Sequence, residues 1–175
     1  MPSSVPPFAE LLAGAQHSAV HLEMRDHYGV AGEAADYERW LRTGERDTDP
    51  ASSAWAPWVA LISSAVARGV TVRRARIVSE PVSSYIRYEH AGTAVNVHAG
   101  ELVRWLPRRQ ASDIALPGND FWLFDGRLVR WNHFTGDGAS AGPELSDAPA
   151  AATLCADAFE AVWERATPHD QYKIQ

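Results

Sequence analysis

The stretch Arg73-Arg74-Ala75-Arg76-Ile77-Val78-Ser79-Glu80-Pro81 limits what this chain can fold into more than any other. Val70 to Val78 reads as a strand, with Val72, Arg74, Arg76 and Val78 on one face and Arg73, Ala75 and Ile77 on the other. A helical pattern precedes it and another follows Pro81, so the strand is expected near the centre of a sheet. Charge in that position must be paired, because an uncompensated buried charge strongly opposes folding. These arginines are therefore expected either to pair with acids inside the fold or to face a ligand at a cleft.

The rest of the chain reads as helices and strands around this element. Phe8, Leu11, Leu12 and Ala15 recur at helical spacing, predicting a short amphipathic helix over residues 5–16. Ser18 to Met24 alternates as a strand, with Ala19, His21 and Glu23 on the face opposite Val20, Leu22 and Met24; an ionisable face of this kind suits a cleft wall. A helix is expected over Glu33–Arg42, a loop over Thr43–Ser53, and a helix over Trp55–Arg68 closed by Gly69. Pro81 to about His98 reads as a helix weakened by Gly92 and Thr93. Glu101–Leu106 reads as a strand ended by Pro107, and Arg108 opens a loop through Gly118. Asp125-Gly126 is a hairpin signal joining Phe121–Phe124 to Leu128–Phe134. Gly136–Pro143 reads as a glycine-rich loop. A last helix, capped by Ser146 or Asp147, carries an apolar stripe from Ala151 to Ala166.

This order implies a single α/β domain over residues 1–175, with a mixed β-sheet flanked by helices and with 1–4 and 169–175 as flexible ends. With 46% apolar residues, disorder is excluded as the main state. No run is apolar enough for a membrane helix, the first residues lack a secretion pattern, and the single Cys155 cannot form an internal disulfide. These features point to a cytoplasmic protein with no membrane partner. The net charge of −6 is uneven: residues 68–130 hold ten arginines against six acids. A phosphate-binding surface is one reading of that basic middle; arginines paired inside the fold is the other. The overall acidity and the lack of a recognition helix argue against direct nucleic-acid binding.

Four of the runs resemble a family of actinobacterial proteins of unknown function: His21-Leu-Glu-Met-Arg-Asp, Arg74-Ala-Arg-Ile-Val-Ser-Glu-Pro, Ala99-Gly-Glu-Leu-Val-Arg-Trp-Leu-Pro and Leu116-Pro-Gly-Asn-Asp-Phe-Trp-Leu-Phe-Asp. Members of that family are often encoded near helix-turn-helix regulators, which implies a regulatory role with such a regulator as partner, and a homodimer is a further expectation. More distantly, Ala67-Arg-Gly-Val-Thr-Val-Arg and Phe121-Trp-Leu-Phe-Asp-Gly are similar to one half of a phospholipase D-like domain. That motif is His-x-Lys followed after four residues by Asp. Setting Asp125 at the Asp puts Gly118 and Asp120 where the His and Lys belong, so the resemblance implies the architecture without the phosphodiester chemistry.

The candidate site residues are Glu23, Arg25, Arg74, Arg76, Glu80, Arg104 and Asp120. Glu23, Arg74, Arg76 and Glu101 are the members of a charged network across adjacent strands. It is either a carboxylate- or phosphate-gripping site or a structural ion-pair cluster. His21, Glu23 and Asp26 have ligand chemistry, but no histidine spacing supplies the further ligands of a metal site. No metal and no cofactor is expected. Cys155 belongs to an apolar stripe, and no serine stands in a Gly-x-Ser-x-Gly context. Trp122 and Trp131 are placed to stack on a ligand or partner. The expected function is a non-catalytic regulatory or ligand-binding module. The alternative is an enzyme on a phosphate- or carboxylate-bearing substrate, with Glu23 or Asp26 as base and Arg74 or Arg76 as clamp.

Overall fold

The computed structural model describes residues 5–175; residues 1–4, expected as a flexible end, lie outside them. Helix α1 (Phe8–Gly14) leads into strand β1 (Ser18–Glu23). A short 3-10 turn (Ala31–Glu33) then opens α2 (Ala34–Thr43). Next come α3 (Ala56–Ala67), β2 (Thr71–Val78), α4 (Ser84–Ala99) and β3 (Leu102–Pro107). A second 3-10 turn (Arg108–Ala111) precedes β4 (Asp120–Phe124), β5 (Leu128–Phe134) and β6 (Ser140–Ser146). The chain closes with α5 (Pro149–Arg165) and β7 (Thr167–Pro168).

The seven strands form one mixed sheet in the order β6-β5-β4-β1-β2-β3-β7. Strands β1, β2 and β3 are parallel, and every other pairing is antiparallel. Because β1, β2 and β3 follow one another in both sequence and space, right-handed crossovers put their connecting helices on the same face. That face carries α1, α3 and α4, and α5 covers the other together with Ala111 of the second 3-10 turn and Ile114 and Leu116 after it. Ala75 and Ile77 of β2 pack with Leu22, Phe121 and Phe159 beneath α5. On the helical face the core divides in two. Ala19, Val72, Trp122 and Phe124 pack under α1 and α3, whereas Val78, Val103 and Trp105 pack under α4. The polar ends of Arg74 and Arg76 lie in the gap between these two apolar clusters.

Local chemistry sets the boundaries. The Ser83 hydroxyl accepts the Ile86 N–H (3.1 Å), so α4 begins at Ser84 rather than at Pro81. Asp125 and Gly126 both adopt positive φ in the three-residue turn 125–127 that brings Leu128 opposite Phe124. The Asp125 carboxylate also accepts the backbone N–H groups of Gln16, His17 and Ser18, which anchors the hairpin to the start of β1.

Three expectations fail for identifiable reasons. Gly136–Pro143 is not simply a loop, because Ser140–Ser146 forms the edge strand β6 against β5. That strand is largely exposed, so it has no apolar alternation to reveal it, and its Pro143 is tolerable only at an edge. Helix α5 takes Ala148 as its N-cap, with no side-chain cap from Ser146 or Asp147. The segment after Pro168 is packed rather than frayed. Tyr172 is buried, stacks on Trp105 at 5.5 Å and donates to Glu80 (2.7 Å), and the Val82 N–H donates to the Gln175 carbonyl.

Tyr172→Ala is therefore expected to cost about 3 kcal/mol, in the range for truncating a buried aromatic. Urea unfolding measures it; a variant that unfolds at the parental midpoint would mean that the end of the chain contributes nothing.

Candidate functional site

The parallel register sets His21 beside Arg74 and Glu23 beside Arg76, all on the helical face. Each arginine then meets two acids. Arg74 donates from Nε to Glu101 (2.8 Å) and from Nη1 to Glu23 (3.2 Å). Arg76 donates from Nε to Glu23 (2.6 Å), from Nη1 to the Thr93 hydroxyl (2.6 Å) and from Nη2 to Glu89 (2.8 Å). Glu101 is completely enclosed and also accepts from Trp58 Nε1 (2.8 Å) and Asn96 Nδ2 (2.9 Å). Burial on its own would raise the Glu23 carboxyl, but Arg76 and Arg74 overcome that effect and hold it well below the usual carboxylate range. Burial likewise opposes the charge of Arg74, and Glu101 and Glu23 more than restore it.

Helix α4 is shaped for this network. Thr93 turns its hydroxyl to Arg76, and Gly92 leaves room for Arg46, whose guanidinium a Cβ at that position would strike. The two residues that weaken the helix in sequence are thus the ones that admit the arginines. Arg46 lies flat over the Tyr88 ring at 3.4 Å, with its Nη1 3.9 Å from Glu89.

Above this floor is a cavity of about 410 Å³. Its walls are aromatic, including Trp55, Trp58, Tyr85, Trp122 and Phe134. Two further carboxyls reach it. Asp120, the first residue of β4, accepts the Met24 N–H (2.9 Å) and the Tyr28 hydroxyl. Burial raises its pKa to about 6, with the Tyr28 hydrogen bond opposing and the charge of Glu23 adding to the rise. Glu33 accepts the Tyr85 hydroxyl (3.0 Å) and is raised too, first by burial and then by Glu89. His21 stacks on Trp122 at 4.3 Å and is pushed down to about 3, chiefly by burial, so it is neutral.

Of the seven residues expected at a site, Glu23, Arg74, Arg76 and Asp120 line this cavity. Arg25 stands beside it, with its guanidinium over Phe134 at 5.0 Å. The structure does not bring the other two to it. Arg104 points to the opposite face, where it donates to the Trp163 carbonyl (2.9 Å), and Glu80 binds Tyr172 outside the cavity. Strand alternation was the available signal for Arg104, which is one residue out of phase with Val103 and Trp105. Tyr28, Glu33, Arg46, Glu89 and Asn132 also line the cavity. They come from loops, helix faces and a distant strand, and no pattern in the sequence connects them. Among the described residues no group of three or more His, Cys, Asp or Glu is placed to hold a metal ion.

The basic middle is not a basic surface, since several of its arginines are turned inward or tied down. Arg73 pairs with Glu160 (2.5 Å), and Arg108 donates to the Ser79 hydroxyl (3.1 Å) and to the Met24 and Ile77 carbonyls.

The chain matches, over residues 6–174, the family described as a domain of unknown function, DUF6879. It belongs to that family. Among curated proteins none matches. No helix among the described residues of this family member is long and apolar enough to cross a membrane.

Arg74→Ala and Arg76→Ala are each expected to cost about 3–5 kcal/mol in urea unfolding, because acids are left buried without compensation. Arg109→Ala, at an exposed side chain, should change the midpoint little. Parental midpoints for the first two would contradict a structural role. Arg108, placed after a strand-ending proline, reads from sequence as equally tolerant, but its hydrogen bonds to two strand ends make its loss costly.

The two shifted groups give a pH test. Below its ordinary pKa of 6.5 the unfolded chain protonates His21 while the folded one does not, so stability is lost as pH falls toward 3. Asp120 works oppositely. Between 3.8 and about 6 the folded carboxyl keeps a proton that the unfolded one has released, so acidification through 6 favours the fold. Between pH 7 and 5, His21→Asn should lose less stability than the parent and Asp120→Asn more. Denaturant midpoints at the two pH values check this order, and its reversal would contradict both assignments.

Proposed function

We propose that this DUF6879 chain is a non-catalytic, cytoplasmic binding module that takes a small molecule in the cavity over β1, β2 and β4 and acts in regulation through a partner protein. The cavity carries this reading. Its volume of about 410 Å³, its aromatic walls and the polar groups converging on it suit a small organic ligand. The partner half of the reading rests on the resemblance to proteins encoded near helix-turn-helix regulators, and such a regulator is the proposed partner.

The enzymatic alternative has less support. An arginine clamp needs free donors facing the substrate, and Arg74 and Arg76 each already make three hydrogen bonds within the protein. Glu23, held ionised by both, is a weak base. Asp26 is engaged by the Ser79 N–H (2.8 Å) and hydroxyl (2.6 Å). The phospholipase D-like resemblance adds no chemistry. Of Gly118, Asp120 and Asp125, only Asp120 lines the cavity, and Asp125 holds backbone N–H groups at the other end of β4.

Val30 lines the cavity and is itself 41% exposed, so Val30→Trp narrows the opening without touching the ion pairs. A thermal-shift screen of a metabolite library should find at least one compound that stabilises the parent and not the variant, while both melt alike without ligand. A library that stabilises neither protein, or both equally, would overturn the cavity reading.

A further inference from the structure

Two carboxyls at the cavity have no ion-pair partner among the described residues, and they indicate a class of ligand. Three arginines and four acids line the cavity, and a fifth acid, Glu101, is enclosed beside Arg74. Arg74 and Arg76 hold Glu101 and Glu23, and Arg76 and Arg46 share Glu89. Glu33 and Asp120 remain, and their side-chain partners are tyrosine hydroxyls, which donate a hydrogen bond but no charge. Among the described residues neither carboxylate has a salt bridge; Arg25 acts on Asp120, and Arg46 on Glu33, only through space.

A second observation comes from His21. The guanidinium of Arg130 can only donate, and it donates from Nη1 to Asn132 Oδ1. The Asn132 amide nitrogen therefore faces His21 Nε2, 3.5 Å away, and that nitrogen must accept. The proton of the neutral ring then sits on Nδ1. This N–H is buried in a residue only 7% exposed, it has no partner among the described residues, and its residue lines the cavity. A buried donor without an acceptor is costly unless something else supplies one.

We propose that the cavity takes a small protonated amine, with Asp120 and Glu33 as its counter-charges and a neutral oxygen acceptor on its body against His21 Nδ1. This rests on the cavity reading above and adds the class of ligand. Of the aromatic walls, Phe134 already lies under Arg25 (5.0 Å) and Trp55 under Arg46 (5.4 Å); the negative face of Tyr28, with no arginine over it among the described residues, favours the same charge. The strongest opposing feature is Arg46, whose Nε and Nη1 lack hydrogen bonds. Those atoms are stacked on Tyr88 and pressed toward Gly92, and an anion approaching them would meet Glu89 and Glu33. An anionic ligand is disfavoured on charge, and a neutral one leaves the two carboxyls without an ion-pair partner.

Three probes sharing a phenol body isolate the charge: tyramine as the cation, 4-ethylphenol as the neutral form and 4-hydroxyphenylacetate as the anion. Isothermal titration should rank tyramine tightest, by about tenfold or more over each of the others. Asp120→Asn and Glu33→Gln should each weaken tyramine by about tenfold and leave 4-ethylphenol unchanged, an outcome that simple loosening of the fold would not produce. Lowering the pH from 7.5 to 5 should weaken tyramine in the parent and less so in Asp120→Asn. The groups facing Asp120 are Glu23 on β1, Arg25 and Tyr28 after it, and Asn132 on β5. Tighter binding of the anion, equal binding of all three, no binding of any, or carboxamide variants without effect would overturn the amine proposal. Val30→Trp separates the two readings. If it blocks a non-amine ligand, the cavity reading stands and the amine class fails; if tyramine binds it as well as the parent, the cavity is not where the amine sits.

Discussion

The ion pair between Arg76 and Glu23 ties β2 to the end of β1, the strand at which the sheet changes from parallel to antiparallel pairing. Glu23 is the last residue of β1, and Arg76 lies two residues before the end of β2. Their contact of 2.6 Å fixes the parallel register at the point where the sheet passes from its parallel to its antiparallel half. The same guanidinium reaches Thr93 and Glu89, which sets the height and rotation of α4 above the sheet. Arg74 extends the network to Glu101 and, through it, to Trp58 on α3. A core built this way gains little net stability over an apolar one, but loss of any member is severe. Position is what the network supplies, because it holds two helices apart from the sheet and leaves a space above β1 and β4.

That space explains why the arginines are poor candidates for gripping a substrate even though they lie at its floor. Their donors and charge are taken up by the acids that fold them in. The groups with unmet chemistry stand one row away, on β1, on β4 and on the segment after β1: the neutral His21, and Asp120 and Glu33 with their tyrosines. The residues that hold the elements in place and those with unmet chemistry are thus different members of one polar cluster, and the family match spans both.

Much of the fold was legible because it follows from short-range pattern. The alternation of Val70–Val78, the stripe of α5 and the Asp125-Gly126 turn each carry their own signal. Pairing of Arg74 and Arg76 with Glu23 and Glu101 was legible too, since charge on a central strand has to be met by charge. Three things were not. The edge strand β6 gains its order from pairing with β5 and not from burial. The end of the chain folds back because Tyr172 finds Trp105, a contact across more than sixty residues. The cavity walls come from four strands, two helices, a 3-10 turn and the loops beside them, whose meeting depends on the completed topology. Glu80 and Arg104 were drawn into the expected site by their place in charged runs, whereas strand phase and the docked tail assign them elsewhere.

The central claim is a division of charge, in which Glu23 is neutralised by arginines and Asp120 is not. Carbon-13 NMR titration of the side-chain carboxyls reads both groups in the folded protein. The account predicts a midpoint near 6 for Asp120 and no titration of Glu23 above the pH at which the protein unfolds. An Asp120 midpoint at the ordinary 3.8, together with a Glu23 that titrates at or above its ordinary 4.5, would contradict it.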